Sequence, residues 1–208
     1  MIGLYAVAQG APRSIAGALG EPLRVVSCGG VELVCGAPAP ALSAEALRAH
    51  EAAVRRIADA ADACLPARFG AGAAGEPELI ELVRPRLPEL TEALRLVRGR
   101  EQMTLRVLGD PAAPPPSGGP GTRYLEGRRR AHGVPELDPL RSALSDLIRA
   151  ERVERHAEPG LIASVYHLID RGSAARYREL LGSTPLEAVR VTVSGPWPAW
   201  SFAPELSP

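Results

Sequence analysis

Gly99-Arg100-Glu101-Gln102-Met103-Thr104-Leu105-Arg106-Val107 decides how this chain divides. Upstream of it Leu79, Leu82, Val83, Leu87, Leu90, Leu94 and Val97 recur at helical spacing, and Gly99 stands where a helix end favours glycine. From Glu101 the period drops to two. Met103, Leu105 and Val107 alternate with Gln102, Thr104 and Arg106, the pattern of a half-buried strand. A strand that follows directly on a terminated helix marks a new domain, so the expected division is 1–98 and 99–208.

The first of these domains opens with an extended apolar run from Gly3 to Ala8. Leu23-Arg24-Val25-Val26 and Val31-Glu32-Leu33-Val34 flank Ser27-Cys28-Gly29-Gly30, and a glycine pair between β-branched runs predicts a hairpin. Three strands are expected here. Ser43 is a good N-cap and Glu45 suits the first turn of the helix that follows. Its stripe is Leu47, His50, Val54, Ile57 and Ala61, opposite Arg48, Arg55, Asp59 and Asp62. Cys64 to Gly70 then leads into a small-residue loop. Pro85 and Pro88 fall inside the next helical pattern. Each removes a backbone donor and clashes with the preceding turn, so a kink or two shorter helices are expected.

In the second domain, 110–121 is a proline- and glycine-rich loop, Arg123 to Arg130 a short basic helix, and Leu140, Leu144, Leu147 and Ile148 a further helix after Asp138-Pro139. Leu161 to Ile169 reads as a strand, Ser173 as the cap of a helix through Tyr177 and Leu181, and Val189, Val191 and Val193 as a last strand. The order β-α-α-β-α-β gives a small α+β sandwich close to a ferredoxin-like layout. The fold class expected for the chain is therefore α+β, in two small α/β domains.

Beyond these lies the tail, 195–208. Both tryptophans, Trp197 and Trp200, and one of two phenylalanines, Phe202, sit within it, in a chain whose aromatic content is only 4%. Rings of this kind each bury on the order of 150–250 Å². Pro196 and Pro198 fix the backbone on both sides of Trp197, so the segment should run extended across another surface rather than continue a central strand.

Composition narrows the function classes. The 24 basic and 24 acidic residues cancel, so the net positive field that nucleic-acid binders use is missing. Arg128-Arg129-Arg130 is too small a patch to replace it. No window has the 18 or so continuous apolar residues of a membrane span, and Met1 to Val7 lacks a basic leader region, so a cytoplasmic location without membrane contact is expected. Cys28, Cys35 and Cys64 form an odd set without close pairing and are expected as buried thiols. No two ligand-type residues share the short spacing of a zinc site, and no phosphate loop or nucleophile signature occurs, so neither metal, cofactor nor enzymatic activity is expected.

Several segments together resemble the gas vesicle GvpF/GvpL accessory-protein family. They are Leu4-Tyr5, His50-Glu51, Leu65-Pro66-Ala67-Arg68-Phe69-Gly70, the 99–107 strand, Gly121-Thr122-Arg123-Tyr124-Leu125, and Gly195-Pro196-Trp197-Pro198-Ala199-Trp200-Ser201-Phe202. Their order and spacing cover nearly the whole chain. The resemblance implies a non-enzymatic, cytoplasmic, gas-vesicle-associated protein that supports vesicle assembly by binding the hydrophobic shell protein and other accessory proteins. A minor structural component of the finished vesicle is the alternative. It also implies two α+β domains with the tail strapped across both. The residues singled out as partner-binding or family-motif positions are His50, Pro66, Arg68, Phe69, Gly70, Tyr124, Gly195, Pro196, Trp197, Trp200 and Phe202. Phe69 suits a core position, Gly70 a left-handed turn, and Arg68 a buried anchor for a carboxylate. On its apolar stripe His50 suits a hydrogen-bonded core position.

Overall fold

A computed structural model describes residues 1–109, 134–156, 160–186 and 189–205. The loop at 110–121, the basic helix and Tyr124 lie outside the described residues. The chain forms two compact units, Met1–Glu101 together with the residues from Trp197 onward, and Gln102–Pro196. The boundary thus falls a few residues later than expected, and the tail's aromatic part belongs to the first unit rather than the second.

In the first unit β1 (Ile2–Gln9) is an almost unbroken apolar run whose first seven residues are buried. Such a run suits a strand covered on both faces. It lies inside a sheet ordered β2-β3-β1-β4, where β2 is Arg24–Cys28, β3 Val31–Gly36 and β4 Ala63–Pro66, and β5 (Gly72–Ala73) pairs with the start of β1. The β2-β3 hairpin turns at Gly29 and Gly30, with φ of 54° and 88°, the two left-handed residues that a tight hairpin requires. Against the sheet lies α1 (Ala44–Ala60), capped by the Ser43 hydroxyl, which accepts from the Ala46 amide at 3.1 Å. Its buried residues, His50, Ala53, Val54, Ile57 and Ala58, face Tyr5, Ala6, Ala8 and Val34.

The proline-interrupted helical pattern breaks as expected. α2 (Glu76–Val83) passes through a 3₁₀ turn at Arg84–Arg86 into α3 (Leu87–Val97). Proline cannot donate the bond that would continue the α-helix, and the tighter turn accommodates it.

The sequence counted three strands in this half, and the described fold has five. Ala63–Pro66, expected as the lead into a loop, pairs antiparallel with β1 from Gln9↔Ala63 to Ala6↔Pro66. Four residues ending in proline give too short a run to show a period, so only pairing with β1 identifies it.

The second unit carries β6 (Arg100–Gly109), α4 (Asp138–Leu144), β7 (Ile148–Arg155), β8 (Gly160–Asp170), α5 (Ala174–Ser183) and β9 (Arg190–Trp197), with sheet order β7-β8-β6-β9. Met103, Leu105 and Val107 meet Leu137, Leu140, Leu144, Val165 and Tyr177 in its core. The helix expected to include Ile148 ends at Leu144, and Ile148 instead begins β7. That strand is Ile-Arg-Ala-Glu-Arg-Val-Glu-Arg at the sheet edge, where neither face is buried enough to impose apolar alternation. Ser173 precedes α5 as expected, but its hydroxyl makes no capping bond. β9 lies at the opposite edge, the kind of position where a sheet tolerates a proline such as Pro196. No described helix is long and apolar enough to cross a membrane.

Candidate functional site

Three separate parts of the first unit bring aromatic rings to one place. Tyr5 comes from the buried centre of β1, His50 from the inner face of α1, and Phe69 from the turn that follows β4. The Tyr5 and His50 rings stack at 5.1 Å, 20° from parallel, and the Phe69 edge meets His50 at 5.6 Å. From the tail, Trp200 approaches His50 at 6.3 Å. Offset or edge-on rings at such separations are favourable beyond the area they bury.

Hydrogen bonds fix the cluster. His50 Nε2–H donates to the Ala67 carbonyl at 3.0 Å, tying α1 to the Pro66-to-Gly70 segment. Burial holds the His50 pKa below the ordinary histidine value, and the Ala67 bond opposes it only in part. The Tyr5 hydroxyl donates to Glu21 Oε1 at 2.8 Å and accepts from the Ala18 amide at 3.0 Å. Glu21 also receives the Leu19 amide at 2.8 Å and the Ala37 amide at 3.3 Å. Burial works against the Glu21 charge, but the bonds from Tyr5 and the backbone amides outweigh it and hold the carboxyl below its ordinary range. The same bond, after burial, pushes the Tyr5 phenol up to about 12. Around Tyr5, His50 and Phe69 opens a shallow pocket whose other walls include Ala18, Pro40 and Gly70.

The tail closes one side of this unit. Arg55 stands over the Trp197 ring at 4.9 Å from its centroid, Trp200 packs on the α1 core, and Phe202, in a short 3₁₀ turn beside β4, is buried. Glu205 receives Arg68 on its carboxylate and Arg86 on its backbone carbonyl.

Several expected positions therefore converge. His50, Phe69 and Trp200 share one cluster, with Pro66 buried in β4 just upstream of Phe69. Gly70 adopts the left-handed φ of 86°. Arg68 does pair with a carboxylate, but as an exposed side chain, 68% accessible, rather than a buried anchor. Phe69 is half-buried, not core, because it forms a pocket wall. Gly195 and Pro196 lie in β9 and belong to the second unit, not to the unit that holds the cluster. Tyr124 is outside the described residues. The sequence missed Glu21, an acid amid small residues with no periodicity, and recognised Tyr5 only through the family resemblance.

A second polar cluster crosses the other unit. Tyr177 O–H donates to His167 Nδ1 at 2.6 Å, and His167 Nε2–H donates to Glu151 Oε2 at 2.8 Å. Arg141 Nε reaches the same carboxylate at 2.9 Å, and its Nη1 reaches Asp138 and the Val134 carbonyl. Tyr177 is fully buried, so burial and the Glu151 charge raise its pKa and no substrate meets its hydroxyl. This arrangement ties β7, β8, α4 and α5 together. Among the described residues no three His, Cys, Asp or Glu side chains gather where they could hold a metal ion, and the three cysteines are buried free thiols.

The model of the family "Gas vesicle synthesis protein GvpL/GvpF" matches residues 3–204. This chain belongs to the GvpL/GvpF family. Its fold is that of solved GvpF structures. The gas vesicle protein GvpF from Microcystis aeruginosa superposes with a TM-score of 0.73 at 15% identity, over 98% of both chains. GvpF from Anabaena sp. PCC7120 gives 0.72 at 14% identity, over 98% of this chain and 95% of that one. No curated protein sequence matches the chain. GvpL/GvpF membership makes this a gas-vesicle-related protein, and the α/β fold with two antiparallel sheets described above is similar to those GvpF structures.

Proposed function

We propose that this GvpL/GvpF chain is an assembly factor that binds the hydrophobic gas vesicle shell protein and other accessory proteins, in a chaperone-like or nucleating role. The observation that carries the reading is the family match from residue 3 to residue 204. Elementary physics supplies the need. A shell that keeps liquid water out must have an apolar inner surface, and an unassembled subunit would expose that surface as a patch prone to aggregation. The first unit offers a fitting counterpart, a pocket of rings and small apolar groups with exposed Leu19, Leu42 and Leu47 among its surface residues. In the second unit the strand order β7-β8-β6-β9, with helices between the strands in sequence, supports a ferredoxin-like layout.

Co-expression with the shell protein tests the role. A soluble complex that co-elutes on size exclusion, and a protein that washes off intact vesicles, is the expected result. Shell protein that precipitates while this chain elutes free would overturn direct shell binding. Retention on washed vesicles would favour a structural component.

A further inference from the structure

From Pro198 to Glu205 the chain lies on the first unit as a bound peptide lies on its receptor. Its own backbone bonds close within the segment. The Trp200 amide donates to the Pro198 carbonyl at 2.7 Å, and the Phe202 and Ala203 amides both reach the Ala199 carbonyl at 3.1 Å. The segment adds no strand to the first unit's sheet, whose edge beside it, among the described residues, is β4. Trp197, just upstream, closes β9.

Side chains make the attachment. Phe202, 1% exposed, fills a site beside β4, and Trp200 packs on the α1 core with its ring 6.3 Å from that of His50. Three residues past the buried ring, the Glu205 carboxylate receives Arg68 and the Glu205 carbonyl receives Arg86. The Arg68–Glu205 pair is exposed on both sides and contributes little. One buried ring, one half-buried ring and a solvated ion pair give the segment a lower opening free energy than the sheet it covers. Opening bares a ring-sized apolar site and frees Arg68 and Arg86 from Glu205. That combination selects its ligand, with aromatic rings for the site and a carboxylate for the guanidiniums. The chain's own occupant shows the spacing at which the two fit together.

We propose that the surface holding Trp200, Phe202 and Glu205 is a peptide-binding site that the chain's own tail fills, and that a partner polypeptide of the same pattern takes it over. The pattern is two aromatic rings at alternate positions and a carboxylate three residues beyond the second. The inference rests on the reading of the chain as a protein-binding assembly factor and specifies the partner segment that one surface accepts. Because tail and partner compete, the partner's apparent affinity is reduced by the fraction of chains whose tail is docked.

The test titrates the full chain, by fluorescence anisotropy, into fluorescein-labelled Pro-Ala-Trp-Ser-Phe-Ala-Pro-Glu-amide, the sequence of residues 198–205. Phe202→Ala in the chain removes the tail's anchor and leaves the site, so this variant should bind the peptide at least roughly tenfold tighter than the parent. Glu205→Arg, a change at an exposed residue that leaves folding intact, sets a third guanidinium against Arg68 and Arg86 and should tighten peptide binding about two- to fivefold. A peptide with alanine in place of its phenylalanine should bind none of the three chains. Equal affinity of parent and variants, no binding by either variant at millimolar peptide, or equal binding of the alanine peptide would overturn the proposal. Shell protein that co-purifies with a chain showing no peptide exchange would refute the site and leave the assembly role intact. Peptide exchange without shell binding would do the reverse.

Discussion

Replacing Glu151 by glutamine removes the charge on which Arg141 and His167 converge in the second unit. Burial alone would raise the Glu151 pKa, but the His167 and Arg141 hydrogen bonds and the Arg141 charge bring it down from 4.5 to about 2. A difference of about 2.5 pH units, at about 1.4 kcal/mol each, sets a ceiling of ~3.5 kcal/mol, which solvent screening at this partly exposed carboxylate lowers to about 1–2 kcal/mol. The sign follows from the folded pKa being the lower one. The contribution is complete above about pH 4.5 and is lost as the pH falls towards 2. Urea unfolding followed by far-UV circular dichroism, at pH 7 and at successive steps down to pH 2, should therefore show Glu151→Gln less stable than the parent by about 1–2 kcal/mol at neutral pH. The gap should close steadily below about pH 4.5, because the parent's own carboxyl becomes neutral. A gap that stays constant over that range would refute the reasoning, since the lost stability would then come from shape rather than charge.

Phe202→Ala should cost about 3–5 kcal/mol in chemical denaturation, because a fully buried ring leaves a cavity, whereas Glu205→Ala, which removes an exposed ion pair, should cost less than about 1 kcal/mol. Gly70→Ala meets no neighbouring atom, so its cost, about 1–2 kcal/mol by the same assay, comes from backbone conformation alone. Tyr5→Phe removes a donor from Glu21 and should raise the Glu21 pKa in an NMR titration. An unchanged titration would show that the backbone amides alone hold the carboxylate.

What the residues disclosed before any coordinates followed from how strongly each pattern depends on local physics. The β2-β3 hairpin was legible because Gly29 and Gly30 supply the two left-handed positions its turn needs. α1 was legible because Ser43, the apolar stripe and the polar face agree. Pro85 and Pro88 announced the break between α2 and α3 by missing donors. β4 and β7 were not legible. Each takes its strand identity from a neighbour, β1 in one case and β8 in the other, and a pairing between distant residues leaves no period in either segment. The site divides the same way. His50 stood out as a histidine on an apolar stripe, and Trp200 and Phe202 as rare rings in a proline-flanked segment. Glu21 acquires its importance only when folding brings Tyr5, Leu19 and Ala37 around its carboxylate.

The membership of Trp197 and the residues after it in the first unit has a consequence for the order in which the protein is made. The whole of the second unit is translated between the helices of the first and the tail that completes it. Emerging from a ribosome, the second unit can therefore fold while the surface of β4 that receives the Phe202 turn is still bare. Until that ring arrives, the first unit exposes an unfilled apolar site that a holdase would recognise. A protein built this way reaches its finished form only after the ribosome has passed its tail.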